Sequence, residues 1–191
     1  MALLVNKTQG WGFIHIPKTG GTSITEILQH QAGTEKITGH DSIRRFEKSE
    51  NLFIFTFVRN PYTRILSAYF HGIRKGEHNY SFGDFLKKST GNELHILPQT
   101  FYTNSGSDNN RTLSYIGKYE NFDNDLKIVL NKLNIENVKI PHLNKNPIYD
   151  KHPNLKQEKY YKYFYTEQWM KDWVKERYKD DFKQFNYELE I

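Results

Sequence analysis

IHIPKTGGTSI, residues 14–24, ends an apolar run that starts at Trp11 and passes through Pro17 to Gly21 into a helical pattern. That pattern runs from Thr22 to about Gln31 and puts Ile24, Ile27 and Leu28 on one face. Strand, glycine turn and amphipathic helix are therefore expected in that order. Two adjacent glycines let the backbone close around a bound group. The amides of a first helical turn have no internal acceptor and point outward at the positive end of the helix dipole. Lys18 adds a full positive charge, and Thr19, Thr22 and Ser23 add hydroxyl donors. The stretch reads as a pocket for an oxyanion, although a plain Gly-Gly turn with a solvated lysine would have the same letters. It is not the nucleoside triphosphatase loop G-x-x-x-x-G-K-[ST], which puts lysine after the glycines and a magnesium-binding hydroxyl behind it. Here Lys18 precedes Gly20 and Gly21.

A second junction of the same kind follows. Leu52 to Val58 is apolar and β-favouring, and Asn60-Pro61 opens a helix with Ile65, Leu66, Tyr69 and Ile73 at helical spacing. Arg59 stands at the carboxyl end of that strand, where ligands collect in open α/β sheets, with Arg64 and Ser67 on the helix behind it. For Arg64 the ordinary solvated or ion-paired helix position is the preferred reading. Further along, Ser81 and Asp84 form a capping pair, Leu113 to Tyr119 suggests a third strand, and Asp123 to Leu133 an amphipathic helix. Thr166 is placed to cap a last helix whose Trp169, Met170, Trp173 and Val174 form a core stripe. The expected fold is α/β: a P-loop-like parallel sheet flanked by helices, in a single domain over residues 1–191.

Composition agrees with a folded, anion-facing chain. The 191 residues carry 27 Lys+Arg against 22 Asp+Glu, a net charge of +5, and the 13 Phe, 13 Tyr and 3 Trp supply enough ring surface for a core. The absence of cysteine excludes disulfides, thiolate metal sites and cysteine nucleophiles, and fits a reducing, cytoplasmic setting. The opening MALLVNKTQG is too short for a signal-peptide core, and no apolar run approaches the roughly 18 residues of a membrane span. TNSGSDNNRT, residues 103–112, has the composition of an exposed loop.

The two junctions together resemble the 5′-phosphosulfate loop and the 3′-phosphate motif of sulfotransferases that use 3′-phosphoadenosine 5′-phosphosulfate (PAPS). The likeness is to the carbohydrate O-sulfotransferase branch that includes heparan sulfate 2-O-sulfotransferase. It is sharp over Phe13 to Phe70 and looser at LPQTFY (97–102), IGKYENF (116–122), PHLNKN (141–146) and the ending YKDDFKQFNY. The resemblance implies that Lys18, Thr19, Gly20, Gly21, Thr22 and Ser23 hold the 5′ end of the donor and that Arg59 and Ser67 clamp its 3′-phosphate. It implies that Lys145 lies in a segment closing over the nucleotide and that Gln99 lines the acceptor cleft. Adenosine 3′,5′-bisphosphate would be the product. The acceptor would be a hydroxyl, on a glycan in the first instance; phenols, peptide tyrosines and lipid-linked glycans stay open, as does the oligomeric state.

Sulfuryl transfer to a hydroxyl needs a proton acceptor, and histidine titrates near neutrality. His40, in ITGHDSIRRF, lies between the two junctions and resembles the Gly-His segment that carries the base in the 2-O-sulfotransferase group. His15 leaves the first strand toward either the core or the acceptor, and His142 neighbours PHLNKN; the other five histidines form no arrangement. No pair has metal-ligand spacing with a third ligand, so no metal is expected. Two other readings compete. A nucleotide or small-molecule kinase shares strand, glycine loop and helix, but the reversed lysine order and missing magnesium ligand oppose it. A nucleic-acid or acidic-glycan binding module would use KQEKYYKYFYTEQW, residues 156–169; an amphipathic helix burying its rings accounts for that stretch more simply, and no nucleic acid is expected.

Overall fold

The structure, a computed structural model, describes residues 2–38, 42–46, 51–90, 93–104, 112–141, 143 and 158–190. These divide into two compact units, one formed by residues 1–59 and 99–143 and the other by residues 60–98 and 144–191.

The first unit is built on a five-stranded sheet: β1 (Ala2–Asn6), β2 (Trp11–Ile14), β3 (Glu35–Thr38), β4 (Phe53–Val58) and β5 (Tyr115–Lys118), in the spatial order β3-β1-β2-β4-β5. Both expected strand-to-helix junctions are present: β2 leads to α1 (Gly21–Leu28), and β4 leads to α2 (Pro61–Lys75). The sheet is mixed rather than wholly parallel, which corrects the expectation. β2, β4 and β5 run parallel, whereas β1 pairs antiparallel with both β2 and β3. The reason is local. Only a tight turn links β1 to β2, and a tight turn can reverse a chain but cannot carry it back to a parallel start. Asn6 closes that turn by accepting the Gln9 amide at 2.9 Å and donating to the Ala32 carbonyl at 2.9 Å.

Strand residues alternate between two faces. Leu4, Trp11, Phe13, Phe55 and Phe57 share one face and form a core with Ile24, Ile27 and Leu28 of α1 and Leu126, Val129 and Leu130 of α5 (Phe122–Lys132). The register aligns Phe13 with Phe55, and their rings stack at 5.1 Å. On the opposite face Phe46, beside the 3-10 turn Ile43–Arg45, lies against Gly12.

The second unit contains α2, α3 (Phe82–Lys88), a 3-10 segment Glu158–Phe164, α6 (Gln168–Arg177) and α7 (Lys179–Gln184); the short α4 (Thr100–Thr103) belongs to the first. Asn60 caps α2 by accepting the Tyr62 amide at 2.9 Å, with Pro61 in its first turn. Ser81 and Asp84 cap α3 as expected, serine Oγ accepting the Asp84 amide at 3.1 Å and donating to its carboxylate at 2.8 Å. The terminal helix differs: Glu167, not Thr166, occupies the cap position, and the helix breaks at Tyr178. Of its stripe, Met170 and Val174 are buried and the two tryptophans half-buried. Residues 158–164 form a 3-10 segment, with Tyr161 and Phe164 half-buried and Tyr163 exposed.

Tyrosine dominates this second core, and each buried hydroxyl is matched to a carbonyl. Tyr62 donates to Leu189 at 2.7 Å, Tyr165 to Tyr62 at 2.9 Å, and Tyr178 to Ile96 at 2.7 Å. Arg64 lies inside it at 1% exposure, which corrects the solvated half of the expectation for that residue. Among the described residues no helix is long and apolar enough to cross a membrane.

Candidate functional site

The carboxyl ends of β2, β4 and β5 lie side by side because these strands are parallel neighbours. β2 ends at Ile14, whose carbonyl accepts both the Ile16 amide at 3.2 Å and the Thr56 hydroxyl at 2.7 Å. That tight reversal, with Pro17 behind it, throws the chain into the loop. Thr19 is fully buried and its hydroxyl donates to the Ile16 carbonyl at 2.9 Å, so its proton holds the loop together instead of facing outward. Thr22 is exposed. Ser23 is buried, and its Oγ accepts the Leu143 amide at 3.2 Å, joining the PHLNKN stretch to the start of α1.

The loop's backbone is unusual at two places. Lys18 has φ of 70° and Gly20 has φ of 85°. Glycine takes that left-handed conformation freely, whereas a lysine there is strained by roughly 1–3 kcal/mol, the kind of strain that concentrates at functional sites. The glycines are also demanded by packing. A Cβ on Gly20 would run into the Phe122 ring, and one on Gly21 into the imidazole of His15. His15 is thus a support beneath the loop: buried, tilted against Phe13 at 5.9 Å, and with Nδ1 at 3.4 Å from Thr25 Oγ1.

Arg59 follows the last residue of β4. Its Nη1 donates to the Lys18 carbonyl at 3.4 Å, and its guanidinium carbon lies 4.1 Å from the centre of the Tyr119 ring. The Arg59 main chain is held by Gln99, whose Oε1 accepts the Arg59 amide at 2.8 Å and whose Nε2 donates to the Arg59 carbonyl at 2.9 Å. Beyond β5 the Asp125 carboxylate, on α5, accepts the Lys118 amide at 2.6 Å and the Asn121 side-chain amide at 2.7 Å, fixing the turn that carries Tyr119. Burial, with Asp125 beside it, raises the Tyr115 hydroxyl above its ordinary pKa.

The two junctions, distant in sequence, therefore meet: Lys18 and Arg59 share one edge of one sheet. His15 and Gln99, the two residues expected toward the acceptor, are buried. Ser67 stands half-buried on α2 in the second unit. His40, His142 and Lys145 lie outside the described residues, as does most of the 103–112 loop. Tyr119, which no expectation from the sequence included, stands under the Arg59 guanidinium; an aromatic directly after a strand end is the only local signal for it. Among the described residues no group of three or more His, Asp or Glu is arranged to hold a metal ion.

A family model described as the sulfotransferase family matches residues 1–188. The chain belongs to the sulfotransferase family. An uncharacterized protein of Archaeoglobus fulgidus is 29% identical to this sulfotransferase over 87 residues, which is 45% of this chain and 71% of that protein. No solved structure matches it. Transfer of a sulfuryl group is thus its general chemistry.

Proposed function

We propose that this sulfotransferase takes its sulfuryl group from PAPS and passes it to a hydroxyl, in the first instance on a carbohydrate, with residues 1–191 acting as one domain of P-loop-like architecture. The observation that carries this is the placement of the Arg59 guanidinium against the backbone of the Lys18 loop, at the ends of adjacent parallel strands. The residues fit an anionic donor: the Arg59 guanidinium stands against the loop that carries Lys18, and no acidic residue occurs from His15 to Thr25. Bound there, PAPS supplies an electrophilic sulfur with adenosine 3′,5′-bisphosphate as its leaving group.

The residues divide the work. Lys18, with the amides of Thr19, Gly20, Gly21 and Thr22 and the hydroxyl of Ser23, holds the 5′ end and stabilises negative charge at the 5′-phosphate oxygen. Arg59 pairs with the 3′-phosphate, and Ser67 and Lys145 are assigned to the donor on the resemblance alone. His40 takes the proton of the acceptor hydroxyl, a role that rests likewise on the Gly-His resemblance. His15 supports the loop that meets the donor, and Gln99 supports Arg59, so their share in the acceptor side is indirect.

Thermal denaturation with adenosine 3′,5′-bisphosphate, ADP and AMP tests the donor. At 100 times its Kd a ligand specific for the native state adds about 2.7 kcal/mol, so the bisphosphate is expected to raise Tm by roughly 5–10 °C, well beyond AMP or ADP. Equal shifts from all three would overturn the PAPS reading. For the base, purified His40→Ala that kept near-normal transfer would place proton removal elsewhere.

A further inference from the structure

We propose that Gln99 is the positioning residue for Arg59, and that it sets this sulfotransferase's preference for a 3′-phosphorylated nucleotide. The inference rests on the donor assignment above and adds to it the residue that makes the assignment work. Arg59 stands just past the point where the sheet can hold it, because Val58, paired with Lys118, is the last residue of β4 in the β4–β5 ladder. Gln99 supplies the missing partner. Its amide accepts the Arg59 N–H at 2.8 Å and donates to the Arg59 C=O at 2.9 Å, reproducing with one side chain the paired bonds of a neighbouring strand.

The residue type is demanding. Glutamate could accept the N–H but has no donor for the carbonyl, and asparagine is one methylene shorter. Gln99 has 0% exposure, so water does not compete for either bond. Its own backbone is set by the start of α4, where the Tyr102 amide donates to the Gln99 carbonyl at 3.0 Å. At the far end of Arg59, the Tyr119 ring at 4.1 Å and the Lys18 carbonyl at 3.4 Å hold the guanidinium. Arg59 is thereby fixed at its root and at its head before any ligand arrives, and a charge already in place loses little freedom on binding. Releasing the root lets the head wander from a phosphate that needs it at a defined point.

The test compares two ligands that differ only in the 3′-phosphate. Dissociation constants for adenosine 3′,5′-bisphosphate and for AMP are measured by calorimetry on the full chain, for the native protein and for Gln99→Met, which keeps the shape and removes both bonds. Gln99→Asn, which keeps the amide but is one methylene short of both bonds, is measured alongside and serves alone if Gln99→Met does not fold. The bisphosphate-over-AMP preference is expected to fall about tenfold in Gln99→Met and by a similar or smaller factor in Gln99→Asn, with AMP affinity within about twofold of native. In an Arg59→Ala background Gln99→Met should change nothing further, because its effect passes through Arg59. Equal losses for both ligands, a preference retained in the variants, or a full effect without Arg59 would each overturn the role of Gln99. A native protein with no preference for the bisphosphate would overturn the donor assignment itself, and this role with it.

Discussion

Lys18 holds a left-handed backbone that most side chains avoid, with φ of 70°. Glycine in its place would relax that strain but would bring its own flexibility to the unfolded chain, and the two effects oppose each other. Lys18→Gly is therefore expected to denature at or slightly above the native Tm, by no more than about 1 kcal/mol of added stability, while kcat falls by roughly 100- to 1000-fold. Lys18→Ala should lose as much activity but denature below the glycine variant, because alanine keeps the strained φ. A scan of Tm beside kcat for the pair separates strain from charge; a glycine variant melting below the alanine variant would show the φ to be unstrained, because only glycine's added chain entropy would then be left. The letters announced a lysine beside two glycines but not that the lysine itself takes the awkward conformation. Nor did they show that His15 and Phe122 would make those glycines obligatory by packing.

Among the elements, α2 has the clearest local logic, with an asparagine cap, proline in the first turn and Gly76 at φ of 71° past its end. Asn60→Ala removes the 2.9 Å bond to the Tyr62 amide and is expected to lower stability by about 1 kcal/mol, read from chemical denaturation. Elements with such punctuation were legible: β2, β4, α1, α2, α3 and α5 all occur within a few residues of where periodicity puts them. β1 and β3 were not. MALLVN reads as a short apolar run, and β3 offers only Ile37 of its four residues as an apolar side chain. Both become strands through pairing, β1 with β2 through a tight turn and β3 with β1, and neither partnership leaves a periodic trace. The meeting of the two junctions was legible to a similar degree. Lys18 and Arg59 were placed by their junctions, whereas the Gln99 staple and the Tyr119 platform join residues some forty and sixty positions from Arg59, which no local pattern encodes.

For the whole molecule, the tyrosine-rich core of the second unit makes stability sensitive to alkali. Burial raises Tyr62 and Tyr165 well above the ordinary tyrosine value, and it holds Tyr178 at about 12 although the nearby charges of Arg64 and Arg177 pull it down. The folded chain therefore keeps protons that the unfolded chain releases from pH 10.0 upward. Stability is fully present below that pH and declines as pH rises toward about 12. Tyr178→Phe should lower Tm at neutral pH, since its bond to the Ile96 carbonyl is lost, and should also flatten the alkaline decline. Melting curves from about pH 8 to about pH 12 check both halves; an unchanged slope would assign the decline to the other tyrosines.

Residues 60–98 leave the sheet-bearing unit immediately after Arg59 and rejoin it at Gln99, and these two flanking residues are bonded to each other. Such an excursion behaves as a cassette hung from a closed clasp. Doubling a loop's length adds only about 0.6 kcal/mol of closure entropy, so the pairing of the strands on either side of the clasp depends little on how many residues the excursion holds.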